Sequence, residues 1–177
     1  MFRKELKKAV AGIEEMTGEV EVSGSTGVEM DLVGLQDNAD SESQKRIRSA
    51  FENSGLKMQG KKIVVNLAPA DIRKEGSALD LAIAVGILAA SGQVTATNLS
   101  DYILMGELSL DGPIKPIRGA LHITIKAVEK GFKRLLLPWE NAIEAAVVEG
   151  MEVYGANSLT TVAGFLNGDI SIDPTTS

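Results

Sequence analysis

The stretch that decides the fold is Asn66-Leu-Ala-Pro-Ala-Asp-Ile-Arg-Lys-Glu-Gly-Ser-Ala-Leu-Asp80, which an apolar run to Ala90 follows. A β-branched segment at residues 63–65 precedes it, and three small residues at positions 76–78 introduce the run. This order predicts a strand, a charged loop and a helix. Free N–H groups and the helix dipole favour negative charge at such a junction, so Ser77 is either a nucleophile or a helix cap.

The surroundings of Ser77 favour the cap. A serine followed three residues later by an acid, Asp80, and then by an apolar run fits a variant of the capping box. A nucleophilic serine would also need a base within hydrogen-bond reach. We therefore predict that Ser77 caps the helix over residues 77–91, and a catalytic Ser77 stays as the alternative.

Composition limits the class of protein. The 177 residues suggest one domain, and 18 Lys and Arg against 24 Asp and Glu give a net charge of −6. An acidic total gives no global attraction to nucleic acid or to a membrane surface. The absence of cysteine excludes disulfides and thiolate metal sites and fits a reducing compartment, so we expect a cytoplasmic protein. No signal-peptide pattern or membrane-length apolar run is present.

The rest of the chain alternates between strand and helix patterns. Residues 19–23 and 28–33 read as strands joined by a hairpin turn at residues 24–27, and residues 40–53 read as a helix that Gly55 ends. The further predicted strands cover residues 62–67, 102–110, 114–117, 134–137 and 151–154, and the further predicted helices cover residues 119–130, 141–148 and 158–166. This alternation predicts an α/β (α+β) sandwich with a mixed sheet and helices.

Two features suggest a nucleotide or zinc site, but neither has the sequence context that such a site needs. Residues 55–62 nearly match a phosphate-binding loop, but the segment follows a helix and leads into a strand, which is the reverse of the order that such a loop needs. The single histidine, His122, cannot build an ordinary zinc site without cysteines. We therefore predict no metal site and no cofactor in this chain.

Basic residues in loops are the candidates for contact with phosphate. Arg73 and Lys74 precede the Ser77 helix, and Lys115 and Arg118 follow the turn at Asp111. Loop positions between ordered elements commonly carry binding residues. These four residues are the predicted nucleic-acid-binding site, and a simply solvated surface is the alternative.

Several motifs together carry a family resemblance over residues 6–168. They are Val33-Gly-Leu-Gln-Asp37, the stretch from Asn66 to Gly76, Gly86-Ile-Leu-Ala-Ala-Ser-Gly92, Gly106-Glu-Leu-Ser-Leu-Asp-Gly112, Pro116-Ile-Arg-Gly119, Pro138-Trp-Glu-Asn141 and Val148-Glu-Gly-Met-Glu-Val-Tyr-Gly155. The chain thereby resembles the N-terminal domain of the magnesium-chelatase-like AAA+ ATPases, the ComM/YifB competence family. The resemblance implies a ribosomal S5 domain 2-like fold, similar to the proteolytic domain of Lon.

Lon proteases use a Ser-Lys dyad, and the resemblance allows each position to be compared. When the Lon motif Asp-Gly-Pro-Ser-Ala-Gly is aligned with residues 75–78, Ser77 corresponds to the proline and Ala78 to the nucleophilic serine. The Lon lysine follows a Leu-Pro-Ile-Gly-Gly motif, which corresponds here to Lys115-Pro-Ile-Arg-Gly119. At the same distance after this motif, Ile123 stands at the position of the lysine. The resemblance therefore implies no catalytic residues, with Ser77 and Lys126 one residue and one helical turn away from the dyad positions.

The resemblance also implies a role, partners and a domain arrangement. Residues 1–168 would be the Lon-like domain, and residues 169–177 a linker or truncated tail towards an AAA+ module, which alone would bind ATP and magnesium. Members of this family assemble as ATP-driven rings and are implicated in DNA branch migration during natural transformation. We therefore expect a non-catalytic domain that supports DNA binding or assembly of a hexameric ring. The alternatives are a serine peptidase that uses Ser77 and a purely structural oligomerisation module.

Overall fold

The computed structural model describes residues 20–22, 29–33, 37–57, 62–66 and 76–177. Its strands are β1 (Val20–Val22), β2 (Glu29–Val33), β3 (Lys62–Asn66), β4 (Tyr102–Leu104), β5 (Glu107–Leu108), β6 (Ile114–Lys115), β7 (Arg134–Pro138) and β8 (Glu152–Ala156). Its α-helices are α1 (Asp37–Asn53), α2 (Asp80–Ala90), α3 (Ala120–Glu129), α4 (Trp139–Ala146) and α5 (Leu159–Leu166). The predicted mixture of strands and helices is confirmed.

The first sheet has the order β1-β3-β2, with β3 in the centre. β1 runs antiparallel to β3 with Val20 opposite Val65, and β2 runs parallel to β3 with Glu29 opposite Lys62. The prediction that β1 and β2 pair as a hairpin is wrong because β3 lies between them. Alternation of apolar and polar residues identifies a strand with one buried face, but it does not say which strand is its neighbour. The predicted turn at residues 24–27 lies outside the described residues.

The second sheet is parallel, with the order β4-β7-β8. Leu135 and Leu137 of β7 pack in one apolar cluster with Ala120 of α3 and Ala142 of α4, so both helices cover the same face of the sheet. Leu136 lies in the cluster on the opposite face. Successive crossovers of the same hand, which in parallel sheets is almost always right-handed, place both connecting helices on one face of the sheet.

The centre of the molecule is α2, which carries no polar side chain after Asp80. Leu81, Ile83 and Leu88 are buried, and they pack with Phe51 of α1 and Leu136 of β7. A helix without a polar face is stable only when protein surrounds it. α2 therefore lies between α1 and the second sheet.

Two segments differ from the predicted elements. The strand predicted over residues 102–110 is divided into β4 and β5, and β5 pairs with β6 as the hairpin that the turn at Asp111 indicated. In the tail, the Thr175 amide donates to the Val153 carbonyl at 2.7 Å, and Ile172 packs against the core. The tail thus contacts the domain, and its assignment as a linker stays a prediction. No helix within the described ranges is long and apolar enough to cross a membrane.

Candidate functional site

The positions that resemble the Lon dyad meet in one apolar cluster. Ala78 lies on a 3₁₀ turn (Gly76–Leu79) just before α2 and is 2% exposed. Ile123 is half-buried on α3 and packs against the cluster that contains Ala78, Ile103 and Ala120. Neither side chain has an atom that can accept or transfer a proton. These two positions therefore provide neither a nucleophile nor a base.

Backbone hydrogen bonds hold the turn that carries Ala78. The Gly106 amide donates to the Ala78 carbonyl at 2.9 Å, and the Leu81 amide donates to the Gly106 carbonyl at 3.0 Å. A Cβ atom at Gly106 would lie 2.7 Å from Cγ2 of Ile114. The close approach requires glycine here, which gives a physical reason for the first residue of the motif Gly106-Glu-Leu-Ser-Leu-Asp-Gly112.

Ser77 does not cap α2, so this prediction is wrong. The N-cap residue is Leu79, which has right-handed helical dihedrals and makes no side-chain capping bond. The 3₁₀ turn before α2 continues the chain directly into the helix, so the first turn does not need a serine oxygen. Ser77 is half-buried on that turn.

Asp80 is part of a buried polar network and not of a capping box. Its carboxylate accepts hydrogen bonds from Ser43 Oγ at 2.6 Å, Arg46 Nε at 2.5 Å and the Leu108 amide at 3.1 Å. Asp80 is fully buried and Arg46 is 15% exposed. Burial raises the pKa of the Asp80 carboxyl, while the bonds from Arg46 and Ser43 favour its ionised form. The network joins α1, α2 and β5.

Lys115, one of the predicted phosphate contacts, lies beside acidic residues. It lines a groove of about 360 Å³ together with Lys45, Arg46, Glu42 and Glu107, and it is the cross-strand partner of Glu107. The charge of Arg46 is matched by Asp80. The groove therefore carries charges of both signs and is not a purely basic surface.

Arg118 is exposed in the segment between β6 and α3, and its neighbour Ile117 is fixed by a buried asparagine. Asn141 Oδ1 accepts from the Ile117 amide, and Asn141 Nδ2 donates to the Ile117 carbonyl, both at 2.9 Å. The Asn141 side chain also donates to Glu144 at 3.0 Å. Asn141 thus acts as a positioning residue for the segment that carries Arg118. Only its place in the motif Pro138-Trp-Glu-Asn141 singled it out in the sequence.

The other candidates are less informative. Arg73 and Lys74 lie outside the described residues, so their distance from Lys115 and Arg118 stays a prediction. His122 is exposed on α3. No group of three or more His, Cys, Asp or Glu in the described part of the chain is placed to hold a metal ion. Gly55, with φ of +68°, ends α1, and Lys62 begins β3, so the near-match to a phosphate-binding loop has the reversed context that the sequence indicated.

Comparison with known proteins shows the family. The family described as subunit ChlI of Mg-chelatase matches residues 19–141. The protein YifB of Salmonella typhimurium is 39% identical over 167 residues, which are 94% of this chain and 33% of YifB. The competence protein ComM of Haemophilus influenzae is 40% identical over 162 residues, which are 91% of this chain and 32% of ComM. This chain belongs to the magnesium-chelatase-like ComM/YifB family.

A more distant relative bears on the fold. Lon protease 2 of Bacillus subtilis is 27% identical over 123 residues, which are 68% of this chain and 21% of that protease. Together with the mixed sheets and helices described above, this similarity confirms the predicted Lon-like fold. The chain spans about a third of the length of YifB and ComM.

Proposed function

We propose that this chain is a non-catalytic, Lon-like N-terminal domain that supports DNA binding by a magnesium-chelatase-like ATPase. The observation that carries the non-catalytic part is the pair Ala78 and Ile123, which the resemblance assigns to the dyad positions and which lie in or against one apolar cluster. Hydrolysis by a serine requires both an oxygen nucleophile and a base. ATP and magnesium would bind elsewhere in the full-length protein, which would assemble as a hexameric ring in the cytoplasm.

Labelling with a serine-directed fluorophosphonate tests the non-catalytic part. We expect no labelling of the chain and no cleavage of unfolded protein substrates. An active Lon protease treated in parallel is the positive control. Stoichiometric labelling that is lost in Ser77→Ala would overturn this part and favour the peptidase alternative.

Contact with DNA would be made by Arg73, Lys74, Lys115 and Arg118. Lys115 and Arg118 are exposed and lie three residues apart on one segment, which Asn141 holds through Ile117. Contacts of this kind neutralise phosphates, do not depend on base sequence and weaken as salt rises. Because Glu107 lies beside Lys115, we expect Arg118 to contribute more to binding than Lys115.

Charge reversal tests the DNA contact. The double variant Lys115→Glu/Arg118→Glu should weaken duplex binding at low salt and reduce the slope of log K against log salt by about 1.8, since each phosphate contact contributes about 0.9. Arg73→Glu/Lys74→Glu should act in the same way. Lys57→Glu/Lys133→Glu is the matched control, because it changes the total charge equally at exposed positions in other loops. Equal binding by all three variants would show that this surface is not the contact.

A further inference from the structure

The segment after α5 folds back onto the domain. Gly168, just past the helix, has φ of +81°. The Asp169 amide donates to the Gly164 carbonyl at 2.8 Å. The Gly168 amide donates to the Phe165 carbonyl at 3.1 Å. These two bonds form a Schellman motif, in which a glycine at the helix end reverses the direction of the chain. We call residues 169–175, which follow this reversal, the strap.

Two isoleucines of the strap pack against the domain. Ile170 lies against Gly164, since a Cβ atom at Gly164 would come within 2.5 Å of Cδ1 and 2.8 Å of Cγ1 of Ile170. Ile172 is half-buried and packs against the main apolar cluster. Ser171 and Asp173, which alternate with the isoleucines, are exposed. This alternation is typical of an extended segment that lies with one side on a protein surface.

Gly164 makes room for the strap. It lies within α5, where glycine is less favourable for the helix than alanine. Its φ is not positive, so its backbone conformation does not require glycine. The close approach of Ile170 therefore gives the physical reason for glycine at this position.

The far end of the strap binds the edge of a strand. β8 comes last in the sheet order β4-β7-β8, and within the described ranges no strand pairs with its outer side. The Glu152 amide donates to the Lys133 carbonyl on the side of β7, at 2.9 Å. The next residue, Val153, faces outward, and its carbonyl accepts from the Thr175 amide at 2.7 Å. Strand edges of this kind can pair with extended segments of other chains, and natural proteins often cover them.

Few contacts hold the strap in place. In the part of the chain that the structure describes, the Thr175 amide makes the single hydrogen bond that joins residues 171–177 to the rest of the domain. Segments with few buried apolar contacts and few backbone hydrogen bonds open at free energies well below that of global unfolding. The strap should therefore leave its site while the rest of the domain stays folded.

We propose that the strap is an autoinhibitory contact, which occupies a site for extended peptide segments with apolar residues at positions i and i+2. The site consists of the surface of α5 at Gly164, the adjoining apolar cluster and the outer edge of β8 at Val153. When the strap leaves, the site binds a matching segment of another chain through main-chain hydrogen bonds and alternate side chains. The proposal goes beyond the DNA-binding function and does not rest on it.

Amide hydrogen exchange of the full chain tests whether the strap opens by itself. The Thr175 amide should exchange at least about 100-fold faster than the amides of β7, because it opens locally. Its rate should not change in dilute urea, since the opening exposes little surface. The rate should still be lower than in a free peptide of the same sequence. Protection equal to that of β7, or no protection at all, would overturn the proposal.

A peptide of residues 167–177 tests whether the site accepts a segment of another molecule. It should bind the unaltered chain weakly, because the strap occupies the site. The variant Ile172→Asp releases the strap and should bind the peptide at least about tenfold more tightly, since the apparent Kd falls as the open fraction rises. Effective concentrations of tethered segments are of order mM, so NMR titrations that follow the Val153 amide extend to about 5 mM peptide. Equal affinity of the two proteins, or no binding by the variant, would refute the site.

A proline substitution opens the strap without altering the apolar cluster, so the test stands even if Ile172→Asp disturbs folding. Thr175→Pro removes the amide that donates to Val153. The peptide should then bind at least about threefold more tightly than to the unaltered chain, as the loss of one hydrogen bond implies. Thr176→Pro is the matched control, because Thr176 is exposed and its amide makes no hydrogen bond to the described residues. Equal effects of the two prolines would contradict the contact with β8.

The contact between Ile170 and Gly164 has its own test. In Gly164→Ala the added Cβ atom forces Ile170 to move, so exchange of the Thr175 amide should become faster although alanine favours the helix. In an Ile170→Ala background the conflict is removed, and Gly164→Ala should raise the Tm by about 2–4 °C. An equal rise in both backgrounds, with unchanged exchange at Thr175, would show that the strap does not rest on Gly164 and would overturn the proposed site.

Discussion

At the scale of single residues, Asp80 is the side chain whose role differs most from its sequence interpretation. Its position three residues after Ser77 indicated a capping box, yet its carboxylate binds Ser43, Arg46 and the Leu108 amide. These donors come from residues 28 or more positions away in the chain. A buried carboxylate needs several donors, and spacing alone does not reveal distant ones.

A double-mutant cycle should show strong coupling between Asp80 and Arg46. Asp80→Asn leaves the guanidinium of Arg46 without its charge partner, and Arg46→Met leaves a buried carboxylate, so each should lower the free energy of unfolding by about 3 kcal/mol. The double variant should lose about 1–3 kcal/mol less than the sum of the two. Urea unfolding of the four proteins measures this energy. Additive losses would mean that the pair is not coupled.

Two serines that precede helices should behave differently. Ser158 has extended dihedrals and its Oγ accepts from the Thr161 amide at 3.1 Å, so Ser158→Ala should cost about 1 kcal/mol of stability. Ser77 lies on a 3₁₀ turn and is not the N-cap of α2, so Ser77→Ala should cost less than about 0.5 kcal/mol. Thermal melts of both variants make the comparison. An equal loss at Ser77 would restore it as a cap.

At the scale of elements, local sequence patterns were sufficient to predict helices whose apolar residues and end signals lie within the element itself. The apolar run of α2 and the stop of α1 at Gly55 both predicted the observed helices. Pairing was harder to predict, because the insertion of β3 between β1 and β2 depends on the whole sheet. The candidate site was predictable only in part, since the contact of Asn141 with Ile117 spans 24 residues.

Asn141 should stabilise the segment that joins β6 to α3. Asn141→Ala removes both hydrogen bonds to Ile117 and leaves the amide and the carbonyl of Ile117 unpaired. The free energy of unfolding should therefore fall by about 2–3 kcal/mol. Amide hydrogen exchange at Ile117 should become faster. The control is Asn53→Ala, which removes one exposed bond to the Leu110 carbonyl and should cost less than about 1 kcal/mol. Unchanged exchange at Ile117 would contradict the positioning role.

At the scale of the whole molecule, the net charge of −6 sets how the basic residues can act. A single copy offers few cations to a duplex, and Glu107 lies beside one of them. The acidic remainder of the surface opposes approach to DNA at low salt. If the chain contacts DNA as proposed, we therefore expect one copy to bind weakly and several copies on the same DNA to bind more tightly.

If the full-length protein assembles as the proposed ring, it should bind duplex DNA much more tightly than this chain alone. Several copies on one duplex convert later contacts into intramolecular ones, which can raise the overall affinity by about 10²–10⁴-fold. Titrations of the isolated chain and of the full-length protein with the same labelled duplex, at matched salt, compare the two. Lys115→Glu/Arg118→Glu should lower the affinity of the ring by a larger factor than that of the isolated chain, because each copy loses its contacts. Equal factors in the two proteins would mean that the ring binds DNA through other residues, and equal affinities of the unaltered proteins would exclude multivalent binding through this domain.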